Sequence, residues 1–189
     1  CYVNSTNRCS CACTFCLRNT KEMLESNSLW LKREPTVEMI IAEFEKYDLT
    51  AFKEVVFCGF GEPLTRHDDL MKVAKYIKEK RSDLSIRINT NGLSSITLGR
   101  DIAPDFKGVI DTVSISLNAP TKEEYYELTR ACYGVDSFNC MLQFTKACKK
   151  YVPSVVLTVV DIIGVEKIKL CQKIADGLGV ELRVRPFEE

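Results

Sequence analysis

The sequence predicts an α/β protein built on parallel strands. Two observations carry that expectation: six short runs rich in Val and Ile recur along the chain with little charge, and amphipathic helical patterns lie between them. A strand, then a helix, then a strand implies a parallel pair joined by a right-handed crossover. The totals agree, since 189 residues that are 46% hydrophobic and 28% charged suit one ordinary globular domain with a real core.

In chain order the strand-like runs are Tyr2–Thr6, Glu54–Cys58, Leu84–Asn89, Thr112–Leu117, Ser154–Val160 and Val180–Arg185. Between the first two, Val37, Ile40, Ile41 and Phe44 recur at helical spacing behind Pro35 and Thr36, a helix start. Leu70, Val73, Ala74 and Ile77 repeat the pattern behind Asp68. Thr121 and Glu124 form a capping box that opens a helix running toward Arg130. Phe138, Met141, Leu142 and Thr145 mark the next helix. Ile168, Cys171, Ile174 and Ala175 mark the last, which ends at Gly177 or Gly179. Two closures satisfy this alternation: a doubly wound open sheet, or six units curled into an incomplete barrel. In both, the active site lies at the carboxyl ends of the strands.

Lys plus Arg and Asp plus Glu balance at 26 each, which argues against a gross basic surface for long nucleic acid. No apolar run approaches the roughly 20 residues of a membrane helix. Ten cysteines without a secretory signal point to a reducing cytoplasm, where thiols serve metals or simply pack. The chain opens on Cys1 rather than Met, so a few leading residues are expected to have been removed. It stops four residues after the sixth run, so residues 1–189 are expected to form a single core with no auxiliary-cluster domain.

The chemistry concentrates near the first strand. Cys9, Cys13 and Cys16 are spaced C-x3-C-x2-C, three thiols in eight residues. Thiolate is a soft donor suited to Fe–S clusters, Zn and Cu(I). A [4Fe–4S] cube usually takes four Cys, so three leave one iron open. Cys11 sits in the same loop, and with it the segment also fits a four-Cys zinc knuckle or a closed Fe–S site. The second strand runs into Gly59-Phe60-Gly61-Glu62-Pro63, where glycine lets backbone approach a ligand closely. The third ends in Asn89-Thr90-Asn91-Gly92, which alone is also a generic turn. In the fourth, alternation places Ser114, Ser116 and Asn118 on one face, where each lacks a partner at a cost of about 1–3 kcal/mol unless a polar ligand supplies one.

This set of motifs resembles the radical S-adenosylmethionine (radical SAM) superfamily. The likeness includes the aromatic Phe15 before the third cysteine, and Gly61-Glu62-Pro63 is similar to the family's GGEP motif with Phe60 in place of one glycine. The resemblance implies a radical SAM core, the (βα)6 partial TIM barrel of parallel strands. It implies a [4Fe–4S] cluster on Cys9, Cys13 and Cys16, with SAM on the open iron. Reductive cleavage of SAM would give methionine and a 5′-deoxyadenosyl radical that abstracts hydrogen from an unidentified substrate. The protein would be oxygen-sensitive, with flavodoxin or ferredoxin as one-electron reductant. For SAM, the resemblance implies contacts from Phe15, Gly61, Glu62, Pro63, Asn89, Asn91, Ser116, Asn118 and Arg130, with Asp161 and Arg185 at the ends of the fifth and sixth strands. Within the family, the stretches Tyr2–Cys9 and Phe15–Arg18 are most like the small TatD-associated proteins. Two readings from other classes stand beside this one: a closed Fe–S electron carrier using Cys11, and a zinc-binding interaction module. Both leave Gly61-Glu62-Pro63 and Thr90-Asn91-Gly92 without a role. His67, the only histidine, lies at a helix entry and is expected at the surface. Cys132, Cys140, Cys148 and Cys171 fall on helical patterns as small packing residues, and Cys58 abuts the glycine loop.

Overall fold

The structure is a computed structural model and describes residues 1–20 and 29–187. Its strands are β1 (Tyr2–Val3), β2 (Glu54–Phe57), β3 (Ser85–Thr90), β4 (Thr112–Ser116), β5 (Ser154–Val160) and β6 (Glu181–Arg185). The helices are α1 (Leu17–Thr20), α2 (Val37–Phe44), α3 (His67–Lys80), α4 (Ser94–Leu98), α5 (Lys122–Thr129), α6 (Ser137–Cys148) and α7 (Val165–Leu178). The six strands are all parallel and lie in sequential order β1 to β6.

That order decides the closure. A doubly wound sheet reverses direction partway, which puts helices on both faces. Five right-handed crossovers that always advance the same way put the crossover helices on one face. The sheet then curls around its bare face, which is the partial barrel. Helix α2 packs on α3, and α5 on α6, as parts of one outer layer. Beneath it the outward residues Val55, Phe57, Ile86, Ile88, Val113, Ile115 and Leu157 are fully buried.

Most boundaries follow local chemistry. Thr36 caps α2 by accepting from Met39 N at 3.3 Å, and Thr121 caps α5 by accepting from Glu124 N at 3.3 Å. Gly179, left-handed at φ 63°, ends α7. The first strand is shorter than its β-prone run. The ladder ends where Cys58 N donates to Val3 O at 3.0 Å, because the next partner, Gly59, turns away. Asn4 through Arg8 instead pack on the Gly-Glu-Pro loop.

His67 departs from expectation. It is only 2% exposed, with Nε2 2.8 Å from Asp105 Oδ2 and its ring tilted against Phe106 at 5.7 Å. The turn Ala103–Phe106 folds over the start of α3 and covers it, a contact between segments almost forty residues apart.

Candidate active site

The cysteine loop is pinned to the end of α5. Ala12 N donates to Thr129 O and Thr14 N to Leu128 O, both at 2.9 Å, and Cys132 N donates to Ser10 O at 2.9 Å. So held, Cys9, Cys11, Cys13 and Cys16 all line one cavity of about 180 Å³ at the carboxyl ends of the strands.

The thiols are not equivalent. Cys11 is 4% exposed and shares its S–H with Cys9 and Cys13, so its own proton is held tightly and its pKa lies far above the ordinary thiol value. The same hydrogen bond is the main reason the Cys9 thiol is pushed down to about 6. Further donors to Cys9 Sγ are Cys11 N at 3.4 Å and Asn91 Nδ2 at 3.8 Å. Cys13 is lowered chiefly by Cys11 as well, and the Arg18 guanidinium, bonded to Cys11 O at 3.2 Å, favours both thiolates. Cys16 is raised by burial. Thiolates are the form that binds metal, so the loop presents ready ligands at Cys9 and Cys13.

The Gly-Glu-Pro loop is set by a close approach and a buried acid. A Cβ on Gly61 would lie 2.3 Å from Thr6 O and 2.7 Å from Arg8 O, so only glycine lets the two loops touch. Glu62 N then donates to Arg8 O at 2.7 Å. The Glu62 carboxylate is 4% exposed and accepts from Thr90 Oγ1 and Asn91 N, both at 2.7 Å, and from Leu64 N at 3.1 Å. Burial dominates those bonds and raises its pKa to about 7. Glu62 thereby fixes Asn91, whose Nδ2 reaches Ser10 Oγ at 3.0 Å and the Cys9 and Cys11 sulfurs. One chain of contacts ties the second strand's loop, the third strand's end and the cysteine loop together.

Of the residues singled out from sequence, Cys9, Cys13, Cys16, Phe15, Asn91, Ser116, Asn118 and Arg185 line the same cavity. Gly61, Glu62 and Asn89 line an adjoining cavity of about 340 Å³ that shares Cys9, Cys16, Asn91, Ser116 and Arg185. Pro63, Arg130 and Asp161 line neither. Pro63 is buried at the start of a short turn. Arg130 is exposed and is the left-handed C-cap of α5 at φ 47°. Asp161 accepts from Phe187 N at 2.8 Å, which holds the chain beyond β6 against the mouth of the cavity.

Sequence reasoning missed Tyr125, Thr129 and Thr158, which complete the wall. Tyr125 is fully buried and its Oη has no hydrogen-bond partner among the described residues. The four-residue steps from Thr121 to Tyr125 to Thr129 put all three on one helix face, which was the available signal. An orphaned hydroxyl, the polar Ser116 and Asn118, and three soft thiols in one cavity suit a thiolate-bound cluster with a polar ligand beside it.

The family model of the Radical SAM superfamily matches residues 3–171. The "Probable GTP 3',8-cyclase" of Thermococcus kodakarensis is 30% identical over 155 residues, 82% of this chain and 45% of that protein. Among solved structures, methylornithine synthase (PylB) superposes at a TM-score of 0.72 with 17% identity, covering 100% of this chain and 53% of that one. Streptococcus suis SuiB bound to precursor peptide SuiA superposes at 0.71 with 15% identity, covering 100% and 39%. At those identities the two structures speak to the fold, which is this same barrel. The chain spans only 33% to 53% of the length of the curated relatives it matches. Among the described residues no helix is long and apolar enough to cross a membrane. With its family pattern spanning nearly the whole barrel, the chain belongs to the radical SAM superfamily, whose cofactors are a [4Fe–4S] cluster and S-adenosylmethionine.

Proposed function

We propose that this chain is the catalytic core of a radical SAM enzyme in which Cys9, Cys13 and Cys16 hold the cluster and leave one iron for SAM. The observation that carries the reading is the convergence of these three thiols on one cavity, with Cys11 kept as a protonated donor between two of them. When bound, the cofactors supply one-electron cleavage of SAM to methionine and a 5′-deoxyadenosyl radical, which takes a hydrogen atom from substrate. The chain's own residues do the rest. Cys11 and Asn91 hydrogen-bond the Cys9 sulfur and hold its charge. Glu62 keeps Asn91 in place. Ser116, Asn118 and Tyr125 would offer polar atoms to SAM, and Phe15 and Phe187 would give it apolar contact from the same cavity wall. The buried walls exclude water, which protects a reactive carbon radical. Flavodoxin or ferredoxin serves as reductant, in a reducing compartment such as the cytoplasm. Residues 1–189 are read as one radical SAM core domain.

The names of the similar proteins mention a nucleotide, an amino acid and a peptide, so likeness does not choose the substrate. The test is anaerobic reconstitution with iron and sulfide, followed by SAM and dithionite. 5′-Deoxyadenosine is expected from the wild type and none from Cys13→Ala. A filled cluster that ignores SAM spectroscopically, with no product, would overturn the reading in favour of a closed electron carrier.

A further inference from the structure

Between Val3, where β1 ends, and Cys9 the chain is in neither strand nor helix. Ser5 and Thr6 on this run are buried. Buried backbone outside a ladder must find hydrogen-bond partners elsewhere, so the groups that hold this run decide where Cys9 stands. Two of them come from a single turn. Pro63–Arg66 continues the Gly-Glu-Pro loop and closes on Glu62 O, which accepts from Thr65 N at 3.1 Å and from Thr65 Oγ1 at 2.8 Å. At the near end of the turn Glu62 N donates to Arg8 O at 2.7 Å. At the far end the Arg66 side chain takes hold of Ser5.

Arg66 Nη1 donates to Ser5 O at 2.9 Å and to Pro35 O at 2.6 Å, just before α2. Its Nε and Nη2 donate to Asp69 Oδ2, in the first turn of α3, at 3.1 and 2.7 Å. The side chain is only 9% exposed and lines neither cavity of the site. One planar cation thus serves three segments: the run into Cys9, the entry to α2 and the start of α3. A Lys ammonium is a point charge on a flexible stem and does not reproduce that fork. The neighbouring pair between Arg8 and Glu34 is a weaker anchor, because the Arg8 side chain is 62% exposed and such pairs contribute little.

We infer that Arg66 is a positioning residue for the cysteine loop: gripping Ser5 O from the turn that also holds Arg8 O, it fixes the chain's approach to Cys9 and keeps that thiol aligned with Cys13 and Cys16. This rests on the reading that the three thiols share one metal centre. The far side of the loop is fixed separately, where Ala12 N and Thr14 N donate to α5. Asn91 reaches the Cys9 sulfur only at 3.8 Å. Loss of Arg66 therefore leaves Cys13 held and lets Cys9 drift.

The test reads metal binding rather than turnover. The cluster-free chain is titrated anaerobically with Co2+, whose thiolate charge-transfer absorbance grows with each sulfur bound. Arg66→Met keeps an unbranched apolar stem and removes every donor. It is expected to weaken Co2+ binding about tenfold, the usual cost of losing a group that orients a metal ligand, and to lower the absorbance per bound cobalt. Ile86→Val, a truncation under the helices at the amino end of β3, is the control for lost stability and is expected to bind Co2+ as the wild type does. Unchanged affinity in Arg66→Met, or an equal loss in Ile86→Val, overturns the inference. So does a wild type that takes up no Co2+ on its thiolates. If Arg66→Met fails to fold, Asp69→Asn decides: it removes the carboxylate that orients the guanidinium, from a side chain 37% exposed. That variant is expected to weaken Co2+ binding by a smaller factor, and unchanged affinity there overturns the inference. Deoxyadenosine formation is scored on reconstituted protein in parallel. Weakened Co2+ binding in the variant with no product from the wild type keeps the inference and removes the radical SAM reading. Product from the wild type with Co2+ affinity indifferent to Arg66 does the reverse.

Discussion

Glu62 shows how much one side chain can organise. Its carboxylate bonds backbone and side chain from the next strand end, and through Asn91 it reaches the cysteine loop. Burial charges for this, because its pKa stands at about 7 against an ordinary 4.5. The folded protein therefore binds a proton that the unfolded chain has released. The stability this brings is present below the ordinary carboxyl range and is lost as pH rises through 7. Relative to Glu62→Gln, the wild type should lose about 2–3 kcal/mol between pH 5 and pH 8, read by urea unfolding of the cluster-free protein. A pH-independent difference between the two proteins would show that Glu62 is solvated. Gly-Glu-Pro was legible in the sequence as a motif. The link from Glu62 to Asn91 was not, because it joins residues 29 apart that meet only through strand pairing.

Helix α5 illustrates how an element places chemistry at one remove. Its carbonyls at Leu128 and Thr129 receive the N–H groups of the cysteine loop, and its inner face supplies Tyr125 and Thr129 to the cavity. The capping box predicted this helix, and Thr121 does cap it. Thr121→Ala should cost about 1 kcal/mol, the usual worth of an N-cap. If α5 positions the loop, that variant should also slow cluster assembly, measured as absorbance regained per unit time during anaerobic reconstitution. Normal assembly in a destabilised variant would confine Thr121 to stability alone. Arg130, expected at the site from the resemblance, is the exposed left-handed C-cap of α5 and lines neither cavity. A terminal residue's direction depends on how the helix stops, which spacing does not reveal.

The sheet is strongest in the middle and weaker at both edges. β2, β3, β4 and β5 each pair on both sides, whereas β1, of two residues, pairs with β2 alone and β6 pairs with β5 alone, with most of its residues exposed. Native-state hydrogen exchange should therefore find the slowest amides in β3 and β4 and faster exchange in β6. Equal protection in β6 would mean that its outer edge is covered in solution. The edge strand β6 also carries Arg185 to the cavity.

The sequence by itself determined the alternation of strands and helices, most of their limits, the capping signals and the three cysteines. Those are local properties, written in spacing, periodicity and turn chemistry. Only the tertiary structure decided that the sheet curls, because that follows from the order in which strands lie side by side. Only it covered His67 with the Ala103–Phe106 turn, turned Tyr125 inward, and brought Arg185 to the wall of the cavity. The inward pattern of polar residues was present in the strands all along. Which face is the interior became a physical fact once the crossover helices packed on the other.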